Sequence, residues 1–272
     1  MLIDTHCHLD AREFASDRGD VIRRATNAGV RHIVIPAVAP YNFGLVRELA
    51  HQVPGGAYAL GIHPICIPQA KTEDLAALER AIQVALDDPR FVAVGEIGLD
   101  FFIPELKTPE LQRKQEDFYE AQLRLARTYQ LPVILHVRRS QDRILKYLRK
   151  YPDLCGIAHA FNGSFVQAHA FLDLGFVLGA GGAMTFSRAR QIRRLATELP
   201  LESWVLETDA PDIPPAWLSS NTGDAPRNEP AEVARIADVL AQLQGVPSDQ
   251  VLRTTAESAK RVLPRLFTQR ST

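Results

Sequence analysis

The residues that invite a chemical reading first are Thr5-His6-Cys7-His8, close to the start of the chain. Alternate side chains of a β-strand share a face, so His6 and His8 can point to one place while Cys7 turns away towards packed helices. Two imidazoles aimed together begin a metal site, although a histidine at a strand end is as readily satisfied by ordinary hydrogen bonds. Four more ionisable residues occupy the same kind of position. Glu96 follows Phe-Val-Ala-Val-Gly, His136 follows Val-Ile-Leu, His159 follows Gly-Ile-Ala, and Asp209 follows Trp-Val-Leu-Glu-Thr. Each by itself has a plain alternative as a solvated strand terminus. Together, four histidines and two carboxylates converging on one point would make a divalent metal site. With Glu96 shared between two ions, His6 and His8 would hold one, and His136 and His159 the other. Asp209 would then orient or deprotonate an attacking water. Imidazole-rich ligation favours Zn or Mn over Mg on softness grounds.

Other residues are candidates for substrate. His63, in Gly61-Ile62-His63-Pro64, can donate to a phosphate or a leaving group, or can be a capped loop histidine. Asn162-Gly163-Ser164 offers donors where a helix begins, suited to an anion or equally to a simple N-cap. Arg138 and Arg139 follow His136 directly and can clamp a phosphate backbone. Arg188, Arg190, Arg193 and Arg194 read mostly as a solvated helix face.

Residues in this pattern need strands to carry them. Eight short apolar runs recur: 2–6, 32–35, 57–62, 91–94, 133–135, 155–158, 176–178 and 204–206. Longer stretches of helical period lie between them, such as 74–86, where Leu75, Leu78, Ile82 and Leu86 keep one face, and 110–129. A βα unit takes about 30 residues. Eight units over 1–272 therefore predict a single-domain α/β protein folded as a (β/α)8 TIM barrel, with a doubly wound open sheet as the alternative. In a barrel the ligand candidates would meet at the C-terminal ends of the strands, where barrel enzymes keep their chemistry. Pro211, Pro214, Pro215, Pro226 and the adjoining Pro230 mark 209–229 as a long loop over that face.

Composition removes several classes. With 46% hydrophobic and 23% charged residues the chain reads as globular, and 31 basic against 32 acidic side chains give a net charge of -1. Any polyanion must then be held locally. Three scattered cysteines without a C-x-x-C pair suggest neither a disulfide framework nor a zinc ribbon, and fit a reducing cytoplasm. There is no secretory pattern, and the uncharged stretches 49–70 and 154–172 are interrupted by His, Gly and Gln, so no membrane segment is expected. No obligate protein partner is evident.

Taken together, Thr5-His6-Cys7-His8-Leu9-Asp10, Gly61-Ile62-His63-Pro64, Gly95-Glu96-Ile97-Gly98-Leu99-Asp100, His159 with Phe161-Asn162-Gly163-Ser164, and Glu207-Thr208-Asp209-Ala210-Pro211 resemble the TatD family of metal-dependent deoxyribonucleases. Val-Gly-Glu-Ile-Gly-Leu-Asp, Leu-Pro-Val-Ile-Leu-His at 131–136 and Leu-Glu-Thr-Asp-Ala-Pro-Asp at 206–212 are most similar to its YjjV-type bacterial branch. The resemblance implies an amidohydrolase-like barrel with His6, His8, Glu96, His136, His159 and Asp209 at metal positions. It also implies two divalent ions, Mg, Mn or Zn. The activity it implies is hydrolysis of DNA phosphodiesters, on single strands or 3′ ends, with His63 and the Asn162 to Ser164 loop near substrate phosphate. Ile65 stands where several members carry a further histidine. The alternative is an amidohydrolase-type enzyme acting on a small ester, lactone or amide, or on aminoacyl-tRNA esters, since the same activated water serves acyl chemistry. A barrel kept only for binding is a third reading, disfavoured because packing needs no converging ligands.

Overall fold

In the computed structural model, which describes residues 1–218 and 226–268, eight strands run parallel and pair strictly in chain order. They are β1 (Leu2–Asp4), β2 (Val30–Pro36), β3 (Gly56–Leu60), β4 (Phe91–Asp100), β5 (Val133–Arg138), β6 (Gly156–Ala158), β7 (Phe176–Ala180) and β8 (Trp204–Leu206). The ring closes where β8 meets β1. Thr5 N–H donates to the Leu206 carbonyl at 3.0 Å, Thr208 N–H to Asp4 Oδ1 at 2.9 Å, and Asp209 N–H to the His6 carbonyl at 2.9 Å. The predicted (β/α)8 barrel is therefore the fold, and the open-sheet alternative is excluded.

Helices α1 (Arg18–Asn27), α2 (Phe43–Gln52), α3 (Thr72–Ala85), α4 (Pro109–Thr128), α5 (Gln141–Leu148), α6 (Phe165–Asp173), α7 (Arg190–Glu198), α8 (Val233–Gln244) and α9 (Ser248–Val262) follow. The reason for α3 is visible in its spacing: Leu78 and Ile82 are fully buried, with Leu75 and Leu86 packed against the same core. Thr108 caps α4, its hydroxyl accepting Leu111 N–H at 3.3 Å with Pro109 in the first turn. Inside the barrel, Ile3, Val34, Ala57, Ala59, Val92, Ile134, Ile157, Val177 and Val205 pack together, and Ala256, Ala259, Val262, Leu263 and Leu266 of α9 and its continuation seal the lower end. No helix among the described residues is long and apolar enough to cross a membrane.

Two strands depart from the expected bounds in a way that matters. The runs 91–94 and 133–135 end where polar residues begin, but β4 continues to Asp100 and β5 to Arg138 because Gly98 pairs with His136 and Asp100 with Arg138. Glu96 and His136 therefore sit within strands, not after them. Gly98 makes the contact possible. Its φ is +147°, and a Cβ there would lie 2.1 Å from the His136 carbonyl oxygen. The predicted 209–229 loop holds a short 3-10 turn at Ala216–Leu218, and its residues 219–225 lie outside the described ones.

Candidate metal centre

Glu96 is the centre of the upper end of the barrel, and only 1% of its side chain is exposed. One carboxylate oxygen, Oε1, is 2.9 Å from His136 Nδ1 and 3.4 Å from His63 Nε2. The other, Oε2, is 3.1 Å from His6 Nε2 and 3.4 Å from His8 Nε2. Asp209 Oδ1 completes that second side at 3.6 Å from His6, 3.7 Å from His8 and 3.4 Å from His159 Nε2. The His159 ring stacks on His6 with centroids 3.6 Å apart. Strands 1, 4, 5, 6 and 8 thus bring all six residues together. Three overlapping groups have ligand atoms within 4.8 Å of one another: His6, His8 and Asp209; His6, Glu96 and His159; His63, Glu96 and His136. By distance, then, His159 sides with His6, and His63 takes the place beside His136 that the sequence reading gave to His159.

Proton positions separate ligand from donor. His63 Nδ1 accepts Ile65 N–H at 3.0 Å, so its own proton is on Nε2, the atom that faces Glu96 and His136. Burial lowers this ring to about 4 against the pull of Glu96, which leaves it neutral. A neutral ring with its lone pair already used is a donor into the site, not a ligand. His136 has the opposite arrangement. Its Nε2 is 3.1 Å from Asp100 Oδ2 and its Nδ1 2.9 Å from Glu96 Oε1. Burial opposes a charge on this ring, but the hydrogen bonds to the two carboxylates raise it, and if an ion displaced the Nδ1 proton Asp100 would keep the one on Nε2.

Charge is concentrated here. Burial works to raise the Glu96 carboxyl, but the pull of the His63 and His6 rings, the hydrogen bond from His136 and the close approach of His6 Nε2 outweigh it and hold it well below the ordinary range. Burial likewise opposes ionisation of Asp209, yet His159, His6 and His8 hold it at about 2. Despite those charges, Glu96 Oε2, His6 Nδ1 and His159 Nδ1 are buried without an aligned hydrogen-bond partner. Imidazole nitrogens and carboxylate oxygens crowded at 3 to 4 Å and left unpaired are a donor set that fits a divalent metal.

Around the centre opens a cleft of about 1170 Å³. Arg138 is on its wall, half exposed, with its guanidinium 4.1 Å from the Phe102 ring centroid. Asn162 lines it and is exposed, its carbonyl accepting from Gln141 Nε2 at 2.6 Å. Ser164 does not line it. Its hydroxyl accepts Gln167 N–H at 3.2 Å as the cap of α6, the simpler of its two readings. Arg194 pairs with Glu198 at 2.7 Å on α7, as a solvated face would. Cys7 is fully buried in the core and its thiol is pushed well up by that burial. Two carboxylates escaped the sequence reading: Asp100, against His136, and Glu207, 3.0 Å from His159 Nδ1. Their signal was period two. Glu96-x-Gly98-x-Asp100 and Val205-x-Glu207-x-Asp209 each put their alternate residues on the inner face.

With the geometry in hand, known proteins give the site a context. Residues 3–264 match the family described as TatD related DNase. A protein of Escherichia coli K12 named as the uncharacterized metal-dependent hydrolase YjjV is 40% identical over 251 residues, covering 92% of each chain. An uncharacterized metal-dependent hydrolase of Haemophilus influenzae is 36% identical over 260 residues, covering 94% of this chain and 97% of its own. The crystal structure of YjjV superposes with a TM-score of 0.88 at 36% identity, over 97% of this chain and 98% of that one.

Proposed function

The chain belongs to the TatD related DNase family of metal-dependent hydrolases, and from that premise we propose that it removes nucleotides from DNA 3′ ends by hydrolysing phosphodiester bonds at two divalent ions. The observation that supports the reading is Glu96, whose two oxygens face separate imidazole groups, so that it could be shared between two ions. The sequence reading pairs His6 with His8 at one ion and His136 with His159 at the other, with Glu96 shared. The distances instead group His159 with His6, His8 and Asp209, so these four would hold one ion and His136, beside Glu96 Oε1, the other. Such ions, Mn, Zn or Mg, acidify water and draw charge off a phosphate.

The side chains divide the remaining work. Asp209, ionised and 14% exposed, orients the attacking water and accepts its proton. His63, with its proton on Nε2, donates to a phosphate oxygen or to the leaving group. Arg138 at the cleft wall and Asn162 hold the strand, and single-stranded ends suit a chain of net charge -1 better than long duplexes do. Ser164 serves as the cap of α6, its hydroxyl engaged by Gln167 N–H. The reading treats residues 1–272 as one catalytic domain in a cytoplasmic setting, which three free thiols support.

The test strips the protein of metal, restores Mn, Mg or Zn in turn, and supplies single-stranded DNA labelled at either end, with Asp209→Asn as blank. A metal-dependent ladder shortening from the 3′ end, absent in the blank, is the expected result. Folded, metal-loaded protein that leaves DNA intact would overturn it in favour of acyl hydrolysis, with aminoacyl-tRNA esters, then small esters, lactones and amides, as the next substrates.

A further inference from the structure

Glu207 belongs to none of the groups above that could hold an ion, yet its side chain is only 1% exposed. It follows Val205 on the inner face of the barrel. Its Oε1 accepts Ala160 N–H at 2.6 Å and lies 3.0 Å from His159 Nδ1. Its Oε2 is buried with no aligned partner, and so is His159 Nδ1. The ring nitrogen therefore lies within reach of a carboxylate that still has acceptor capacity, with no aligned hydrogen bond between them. The terminal torsion of a glutamate is soft, so a small turn of the carboxylate aligns the pair.

The neighbouring strand makes room for it. A Cβ on Gly179 of β7 would come within 2.3 Å of both Glu207 oxygens, and one on Gly181 would lie 3.5 Å from its Cγ. A carboxylate sealed in such a slot is costly unless a strong hydrogen bond compensates for the water it has lost.

We infer that Glu207 is a positioning residue: by holding a proton on His159 Nδ1 it leaves Nε2, 3.4 Å from Asp209, as the nitrogen that would take an ion at the metal centre. Asp100 does the corresponding job for His136, with the two nitrogens exchanged. Asp100 also accepts Phe102 and Ile103 N–H at 2.8 and 3.0 Å, so changing it disturbs a loop; Glu207 has no such second duty beyond Ala160. Partners of this kind are worth roughly 10- to 100-fold in metal affinity.

The inference rests on the metal-hydrolase reading, and the experiment separates the two. Zinc affinity and stoichiometry are measured by chelator competition on the full chain, for wild type, Glu207→Gln and Gly179→Ala, beside the melting temperatures of the metal-free forms. Wild type is expected to bind tightly. Glu207→Gln should bind the same number of ions about 10-fold more weakly, and Gly179→Ala between 10- and 100-fold more weakly, since its methyl expels the carboxylate while every ligand stays. Metal-free Glu207→Gln should melt with wild type, which a purely structural role for the carboxylate would not allow. In zinc-loaded wild type, NMR should find a slowly exchanging proton on His159 Nδ1. Unchanged affinity in both variants overturns the inference. So does loss of a whole bound ion, which makes Glu207 a ligand, or a His159 proton on Nε2, which wild-type protein alone reveals even if neither variant folds. Wild type that binds no divalent ion would instead remove the metal reading itself.

Discussion

Each end of the barrel buries a carboxylate where several elements meet, Asp88 below and Glu96 above, and the two are treated in opposite ways. At the lower end Asp88, 4% exposed, accepts Arg47 Nε at 2.9 Å, His51 Nε2 at 3.0 Å, Tyr58 Oη at 3.0 Å and Arg90 N–H at 3.0 Å. Its backbone carbonyl takes Arg265 Nη2 at 3.1 Å. Both of its oxygens are satisfied, and it joins α2, β3, the start of β4 and the C-terminal segment. At the upper end Glu96 is just as deep and is crowded by four rings, yet one oxygen has no aligned donor. Both groups are held below the ordinary carboxylate range, so acidity does not tell them apart. The unsatisfied oxygen does. A saturated carboxylate is a brace, and one left unsaturated at the same depth in the midst of four imidazoles is placed to take a ligand.

The sharpest way to break that contrast is Glu96→Gln. Turnover in the metal-reconstituted protein should fall on the order of 10³-fold, with thermal stability of the metal-free form kept or raised, because a buried charge has gone. Loss of folding instead would make Glu96 a brace like Asp88. The converse change, Asp88→Ala, should cost about 3 kcal/mol in urea denaturation and leave turnover per folded molecule as it was. Its pH dependence has a definite sign. Burial tends to raise Asp88, but the donors from His51, Arg90 and Tyr58 prevail and hold it at about 2, below the ordinary 3.8. The unfolded chain therefore binds the proton first, and the stability gap between wild type and Asp88→Ala, complete above about pH 5, should close as pH falls through 2.

Metal addition gives a third comparison. At a hundredfold excess over its dissociation constant a divalent ion should stabilise wild type and Asp88→Ala alike by about 2.7 kcal/mol, and Glu96→Gln by far less, read as the shift in melting temperature. Equal shifts in all three would detach Glu96 from the metal. The smallest effect is expected at the cleft wall. Arg138→Ala should raise KM for single-stranded DNA about fivefold, with kcat retained and a shallower salt dependence, measured by initial rates at two ionic strengths. A fall in kcat alone would move Arg138 from holding the strand to the reaction.

The barrel was legible because its signal is repeated: apolar runs spaced by βα units and helices such as 74–86 with one buried face. Glu96 and the five candidates around it were legible because each ends or follows such a run. Asp100 and Glu207 were passed over because an apolar run was taken to end its strand, although the alternation that places Glu96 and Asp209 inward places these two inward as well. The role of His63 was beyond sequence for a different reason. Whether its Nε2 offers a proton or a lone pair is decided by the Ile65 N–H on its other nitrogen, a contact set by loop geometry. The brace at Asp88 was invisible too, since its partners Arg47, His51, Tyr58 and Arg265 come from distant elements with no shared spacing.

The closure of β8 onto β1 has a consequence for how the protein is made. Asp4 and Thr208, joined by a hydrogen bond of 2.6 Å, are 204 residues apart, and His6, His8 and Asp209 stand beside them. On the ribosome the two histidines emerge early and wait through the synthesis of seven further strands before Asp209 arrives. Until then a nascent chain can gather no more than the part-built cluster around Glu96 and His136. Assembly of the centre is thereby coupled to synthesis of the eighth strand: a polypeptide released before Trp204 lacks one wall of it.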